Sequence, residues 1–361
     1  MKQLPLKEIF YWPLSLLWSY LYALRRFSYF YGFKQRYFAQ VPVISVGNLS
    51  FGGTGKTPLV LWLYEFLDFQ LNQIPLIATR GYKGRLENER GMIKSGQRFR
   101  LNPDDYGDEP LMVANHMKRG GIVVGKERAK NIDYYFHQLN PDVIVLDDGF
   151  QHLAIHRSLD IVLIDATKPL SFYSPAPLGG LRENLSALRF ADVIIFTKVS
   201  LADSIHFEKL QKKISPHLKS STLIAEINYI PEGFFNLNDE KVMGLELVQD
   251  KKIILVSALA EPDSFIKSME NLGASVVKHI RFPDHYKYTA EDVNEFLIQA
   301  NKNSAYVVFT EKDAVKIRHF SQDPLLTYLK GKIEFFRGQK EFEYLLSQTM
   351  SPSKMSWETL K

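Results

Sequence analysis

The sequence predicts an α/β fold: a three-layer α/β/α core, a second and smaller α/β domain, and a hydrophobic helix at the N-terminus. Three observations predict it. From residue 41 onward, short β-rich runs alternate with amphipathic helical stretches, the rhythm of a mostly parallel sheet with helices on both faces. A polar, turn-rich segment at 228–250 breaks that rhythm, and a second alternating block follows it. The first strand-to-helix turn is glycine-rich and closes on Lys-Thr. A chain of 361 residues is long enough for about two domains with real cores. The expected division is an N-terminal helical segment (1–40), a first α/β domain (41–227), a linker (228–250), a C-terminal α/β domain (251–350) and a polar tail (351–361).

The N-terminal element comes first. Ile9 to Leu24 carries no charge and is rich in Trp and Tyr, and Arg25, Arg26, Lys34 and Arg36 follow it. It is short for a spanning helix, which needs about 20 apolar residues, and it lacks the small-residue cleavage site of a signal peptide. Aromatic side chains prefer the bilayer interface and the basic residues would meet anionic head groups. A membrane-seated helix, interfacial or partly inserted, is expected, with the rest of the protein on the cytoplasmic side.

The turn follows the short β run Val43–Val46. Its residues are Ser50, Phe51, Gly52, Gly53, Thr54, Gly55, Lys56 and Thr57, and the apolar run Leu59–Phe66 after them reads as a buried helix. Strand, flexible loop, Lys-Thr and helix make a P-loop, so the core is P-loop NTPase-like. Glycines let backbone N–H groups approach phosphate oxygens, and the helix N-terminus adds partial positive charge. Lys56 would reach the β- and γ-phosphates and the Thr57 hydroxyl would ligate Mg²⁺. One departure from the pattern is Ser50, which stands where its first glycine belongs.

The next strands are expected at Ile74–Ala78, Gly121–Val124, Val143–Leu146, Ile161–Ile164, Val193–Phe196 and Leu223–Ile227. Helices are expected around Leu59–Leu71, Asp108–Met117, Arg128–Gln138 and His206–Ser215. Three loops at strand ends carry chemistry. Arg80, after the second strand, could steady phosphate or substrate. Asp147 and Asp148 end an apolar strand, where a Walker-B carboxylate belongs beside the phosphates. Asp108 and Glu109 precede an apolar helix. There, capping by Asp108 and acceptance of a proton from an attacking hydroxyl are both open. Arg182-Glu183 sits in a Pro/Gly-rich stretch and could add an acidic contact to the metal.

In the second block, strands are expected at Ile253–Ser257, Val276–Arg281 and Tyr306–Thr310, with a helix from Pro262 to Leu272. Thr289 and Asp292 form a capping-box pattern opening a helix that runs to Ala300. Asp284-His285, at a strand exit, reads as an acid/base pair.

Composition limits the function. There is no cysteine, so disulfides, thiolate metal sites and cysteine nucleophiles are excluded. A net charge of +5 suits an anionic partner, but no Arg/Lys run is long enough to demand nucleic acid. Thr197-Lys198-Val199-Ser200 is similar to a guanine-reading loop, yet Ser200 stands where an Asp would pair with the base. Phe51 occupies the place of the extra lysine of partition-type ATPases.

Together these blocks resemble the tetraacyldisaccharide 4'-kinase family. The shared stretches are VGNLSFGGTGKTP, TRGYKGR, GDEP, VVGKERA, DDGFQH with LDIVLIDA, LRENL, DVIIFTK, FPDHYKYTAEDV and FTEKDAVK, covering most of residues 41–317 in order. The resemblance implies an ATP-dependent transfer of the γ-phosphate to the 4'-hydroxyl of an acylated glucosamine disaccharide 1-phosphate lipid, giving lipid IVA. It implies Mg²⁺ held by Thr57, Asp147 and Asp148, with Glu109 and Glu183 as further acidic contributors. Asp108 would be the base with His285 as its partner, and Arg80 and Gln151 would contact substrate. It also implies a seat on the inner membrane of a Gram-negative bacterium. A monomer that binds no nucleic acid is expected.

Overall fold

A computed structural model describes residues 6–97, 101–258 and 263–351. The expected polar tail lies outside the described residues, except for Ser351. The chain forms two compact units: residues 1–80, 118–229 and 333–361 make unit 1, and residues 81–117 and 230–332 make unit 2. In chain order, unit 1 begins with α1 (Leu6–Phe30), β1 (Val43–Asn48), α2 (Lys56–Glu65) and β2 (Pro75–Thr79). Unit 2 then takes β3 (Gly91–Lys94), α3 (Pro103–Tyr106) and α4 (Asp108–His116). Back in unit 1 come β4 (Gly121–Val124), α5 (Arg128–Leu139), β5 (Val143–Asp147), β6 (Leu159–Asp165), β7 (Val193–Thr197) and α6 (Ser204–Ile214). Strand β8 (Leu223–Asn236) starts in unit 1 and ends in unit 2. Unit 2 continues with β9 (Lys241–Met243), β10 (Lys252–Ser257), α7 (Asp263–Asn271), β11 (Ser275–Arg281), α8 (Ala290–Asn303), β12 (Tyr306–Thr310) and α9 (Glu311–Ile317). Strand β13 (Leu326–Arg337) returns to unit 1, which closes with α10 (Gln339–Met350).

In unit 1 the strands pair in parallel in the order β8-β7-β6-β1-β5-β2-β4. Every residue of β1, β2, β4, β5, β6 and β7 is buried. Burial on both faces is what a parallel sheet covered by helices requires, and it explains why these strands read as continuous Val/Ile/Leu runs. Each expected strand of this unit is present with its ends within two residues of those expected, except that β8 runs nine residues past Ile227 to Asn236. The expected helix Leu59–Leu71 divides into α2 and a π-turn at Phe66–Gln70.

In unit 2, β11, β10, β12 and β13 pair in parallel. Its core joins Ile254, Val256, Val293, Phe296, Phe309 and Ile317. The capping box at Thr289 is formed: Thr289 Oγ1 accepts from Asp292 N at 3.2 Å and Thr289 N donates to Asp292 Oδ2 at 2.9 Å.

Residues 228–250, expected as a linker, carry the paired part of a β8–β9 antiparallel hairpin, and Phe234, Leu237, Met243 and Val248 of this segment are buried. Their turn residues (Asn236, Asn238, Asp239) mark the hairpin loop alone. The excursion 81–117, which sequence order assigns to the first domain, belongs to unit 2. Among the described residues no helix is long and apolar enough to cross a membrane. Helix α1 instead presents Trp12, Leu16, Leu17, Tyr20 and Leu21 at 50–64% exposure.

The capping box gives a measurable consequence. Thr289→Ala is expected to lower the unfolding free energy by about 1 kcal/mol. Urea denaturation followed by circular dichroism checks it, and an unchanged midpoint would rule out a stabilising cap.

Candidate active site

Two clusters of functional side chains are built, one in each unit. In unit 1 the register Val46↔Asp147 sets the end of β1 beside the acidic end of β5. The turn after β5 folds back on β1: Gly149 N donates to Val46 O at 2.9 Å. A Cβ on Gly47 would lie 2.6 Å from Phe150 Cβ, so only glycine permits this approach. Asn48 pins the loop, its Nδ2 donating to Thr54 Oγ1 at 2.9 Å. Gly55, at φ 85°, turns the chain into α2, so Lys56 and Thr57 are the helix's first residues.

Lys56 Nζ lies 3.4 Å from Asp148 Oδ1, and Arg182 donates to Asp148 Oδ2 at 2.9 Å. Asp147 accepts from Thr79 Oγ1 at 3.1 Å. Burial pushes the Asp147 carboxyl up, against Lys56, and the neighbouring Asp148 adds to the rise. For Asp148 burial acts the same way, but Lys56 and Arg182 outweigh it and hold the carboxyl below its usual range. Two adjacent carboxylates are thus driven apart in proton affinity.

Beside this corner lies a cavity of about 210 Å³ lined by Arg25, Arg80, Lys126, Arg128 and Arg182, with Asp148, Gln151 and His152. Arg128 donates to Asp148 O at 3.0 Å while its Nε is buried without a hydrogen-bond partner. The Nε2 of His152 is likewise buried and unpartnered. Burial, and then Arg128, push the His152 imidazole down to about 3, so it is neutral. Gln151 donates to Asn48 O at 2.8 Å and accepts from Arg182 at 3.4 Å. So dense a set of cations with unused donors suits a multiply charged anion.

Glu183 does not join the acidic corner. Its two oxygens are taken by Arg26, with contacts of 2.9–3.1 Å, and both residues are buried. Glu109 belongs to unit 2. Among the described residues no three His, Cys, Asp or Glu side chains gather as a metal-binding group. Within unit 1 the carboxylates of the corner beside Lys56 are Asp147 and Asp148. Gly53 supports a phosphate there: a Cβ on it would meet nothing within 4 Å. Among the described residues the space over the loop is open.

In unit 2 Asp108 is the first residue of α4, and the N-cap is Gly107, with no side-chain cap. Asp108 does not serve as the cap. Its Oδ2 lies 3.2 Å from His285 Nδ1. His285 Nε2 lies 3.5 Å from Asp284 Oδ2, and Asp284 Oδ1 accepts from Lys312 at 3.2 Å. Burial, and then Lys312, push the His285 imidazole below its ordinary value, with Asp284 and Asp108 opposing. The contact is a hydrogen bond to Asp108 when the imidazole carries its proton on Nδ1. Both residues line a cavity of about 740 Å³ with Tyr82, Leu101, Tyr288, Lys316 and Phe320. Sequence order puts Asp108 and His285 in different domains, whereas the structure pairs them inside one unit.

Arg128, Arg182, His152 and Lys316 were missed as site residues by sequence reading. The first two had a usable signal, because each follows a strand or loop that opens on the phosphate edge of the sheet.

A family model described as tetraacyldisaccharide-1-P 4'-kinase matches residues 7–351. A tetraacyldisaccharide 4'-kinase from Desulfotalea psychrophila is 35% identical over 314 residues, 86% of this chain and 88% of that protein. One from Chlorobium phaeobacteroides is 31% identical over 360 residues, 96% of this chain and 99% of that protein. The solved "apo" form LpxK from Aquifex aeolicus in complex with ATP superposes with a TM-score of 0.75 at 27% identity, covering 94% of this chain and 98% of that one.

The Arg26–Glu183 pair is testable by stability. Glu183→Gln leaves a buried guanidinium uncompensated and should cost about 3 kcal/mol or more. Chemical denaturation measures it, and a loss below about 1 kcal/mol would show that the pair is not structural.

Proposed function

We propose a division of labour on one premise: the chain belongs to the tetraacyldisaccharide-1-P 4'-kinase family, the 4'-kinases of lipid A biosynthesis. The donor is ATP, as in the related kinase from Aquifex aeolicus solved in complex with it. The loop Ser50–Thr57 wraps its phosphates, with backbone N–H groups and Lys56 countering their charge. Thr57, Asp147 and Asp148 would hold Mg²⁺, which when bound neutralises charge on the phosphate oxygens. The acceptor is the acylated disaccharide 1-phosphate, whose polar end suits the basic cavity of Arg80, Arg128, Arg182 and Gln151.

The acceptor's 4'-oxygen attacks the γ-phosphorus, the bond to the bridging oxygen of ADP breaks, and the hydroxyl proton passes to Asp108. Because phosphoryl transfer has a loose transition state, a carboxylate is basic enough to take that proton. Neutral His285 donates to Asp108 Oδ2 and orients the carboxyl. Its own second nitrogen faces Asp284, itself held by Lys312. The observation that carries this reading is the Asp108–His285 contact at 3.2 Å, with Asp108 released from capping.

The seat is peripheral, on the cytoplasmic face of the inner membrane. Exposed Trp12, Tyr20 and the leucines of α1 support it, being amphipathic or apolar groups suited to the head-group boundary. The protein acts as a monomer and binds no nucleic acid. The acid pair predicts that Asp108→Ala and His285→Ala lower kcat by about 10²-fold or more with KM for ATP little changed. Lys56→Ala should lose nucleotide affinity as well as turnover. Transfer of label from [γ-³²P]ATP to a tetraacyldisaccharide 1-phosphate in mixed micelles reads all three. Near-normal turnover in either acid-pair variant would remove that residue from the mechanism, and label released only as inorganic phosphate would refute the acceptor.

A further inference from the structure

We propose that Lys316 is a positioning residue for the proton-accepting carboxylate, an inference that rests on reading Asp108 as the base. Lys316 comes from α9, an element with no assigned part in the reaction. Its ammonium is 3.7 Å from Asp108 Oδ2, 2.8 Å from Asp313 Oδ1 and 3.3 Å from Tyr286 O. It also lies 5.2 Å from the centre of the Tyr288 ring. Lys316 is 7% exposed and Asp313 is fully buried, so this cation is a fixed part of the interior and not a solvated surface charge.

The fixing is itself built. Thr310 caps α9, and Asp313 Oδ2 accepts from Thr310 Oγ1 at 2.7 Å and from Ala258 N at 3.0 Å. With Oδ2 of Asp313 so occupied, its Oδ1 faces the Lys316 ammonium as an ion pair, without a hydrogen bond. The spacing from Asp313 to Lys316 is one helical step of three, which brings the two onto the same face. The long, flexible lysine side chain is thereby held by a carboxylate, a carbonyl and an aromatic face before it reaches Asp108.

The choice of oxygen is what gives the arrangement a function. His285 Nδ1 and Lys316 Nζ both approach Oδ2 of Asp108. Oδ1 is the oxygen left for the acceptor hydroxyl. The hydrogen-bond contact of His285 and the ion-pair approach of Lys316 at 3.7 Å converge on one oxygen, which biases the carboxyl's rotation, and a lysine ammonium beside it offsets part of the cost of burying a carboxylate. Burial pushes the His285 imidazole below its ordinary value, so of the two it is Lys316 that brings an ammonium to Asp108. Lys316 touches neither donor nor acceptor in this scheme. It acts through Asp108.

The test is a mutant cycle on the full-length protein, reading kcat and KM for ATP in the lipid-acceptor transfer assay. Lys316→Met should reduce kcat by about 10- to 100-fold, a share of the 10²–10⁴-fold that a general base supplies, with KM for ATP within about twofold of the parent. Lys316→Arg, which keeps the charge, should recover most of the loss. In an Asp108→Ala background Lys316→Met should have no further effect on kcat, because the residue it serves is gone. If the two losses multiply instead, Lys316 is only structural and the inference falls. It falls equally if Lys316→Met turns over normally while Asp108→Ala is inactive, a result that leaves Asp108 as the base. Normal turnover by Asp108→Ala removes the base and the inference together. Where Lys316→Met does not fold, Lys316→Gln, which keeps a donor and loses the charge, carries the same cycle with the same outcomes.

Discussion

The hydrogen-bonded register between β1 and β5 is the constraint on which the phosphate corner depends. Pairing Val46 with Asp147 makes the loop that leaves one strand the neighbour of the acidic turn that leaves the other. Slipping that register by one residue would move every side chain of a strand to the opposite face. The contact of Gly47 with the Phe150 backbone and the bond from Gly149 to Val46 lock it. Lys56 then meets Asp148 as a matter of geometry, and Arg182 arrives on the same carboxylate from the loop before Asn184.

The electrostatics of the two clusters follow opposite logics. In unit 1 the carboxylates are outnumbered: one is held charged by Lys56 and Arg182, and its neighbour is pushed by burial toward the neutral form. Groups driven apart in this way can take different tasks at one pH. In unit 2 the imidazole is the suppressed cation, and the fixed positive charges are lysines.

The parallel sheet was legible because each strand is buried on both faces and so appears as an uninterrupted run of Val, Ile and Leu. The P-loop, the paired aspartates and the Asp108 and His285 motifs were legible for a related reason: each sits at a strand or helix end, where local spacing carries meaning. What stayed hidden is long-range. Glu183 looked like a metal acid because nothing nearby in sequence reveals that Arg26, in a helix 157 positions earlier, occupies it. Residues 81–117 looked contiguous with their flanks because composition does not report which core a segment joins. The run 228–236 reads as a loop in sequence because Pro231 and Gly233 are uncommon inside a strand. Lys316 was visible only as one letter of a helix, since its role depends on α4 packing beside it.

Helix α1 is bolted, not tethered. Trp18 Nε1 donates to Arg182 O at 2.9 Å, Ser15 Oγ donates to Pro175 O at 2.9 Å, and Arg26 grips Glu183. These anchors span eleven residue steps from Ser15 to Arg26, about 16 Å of helix axis. A leash would let the protein sample many heights above a lipid surface. A strut fixed at three points ties the exposed aromatic face of the helix to the loop that carries Arg182, so the residue that holds Asp148 keeps a set distance from that face.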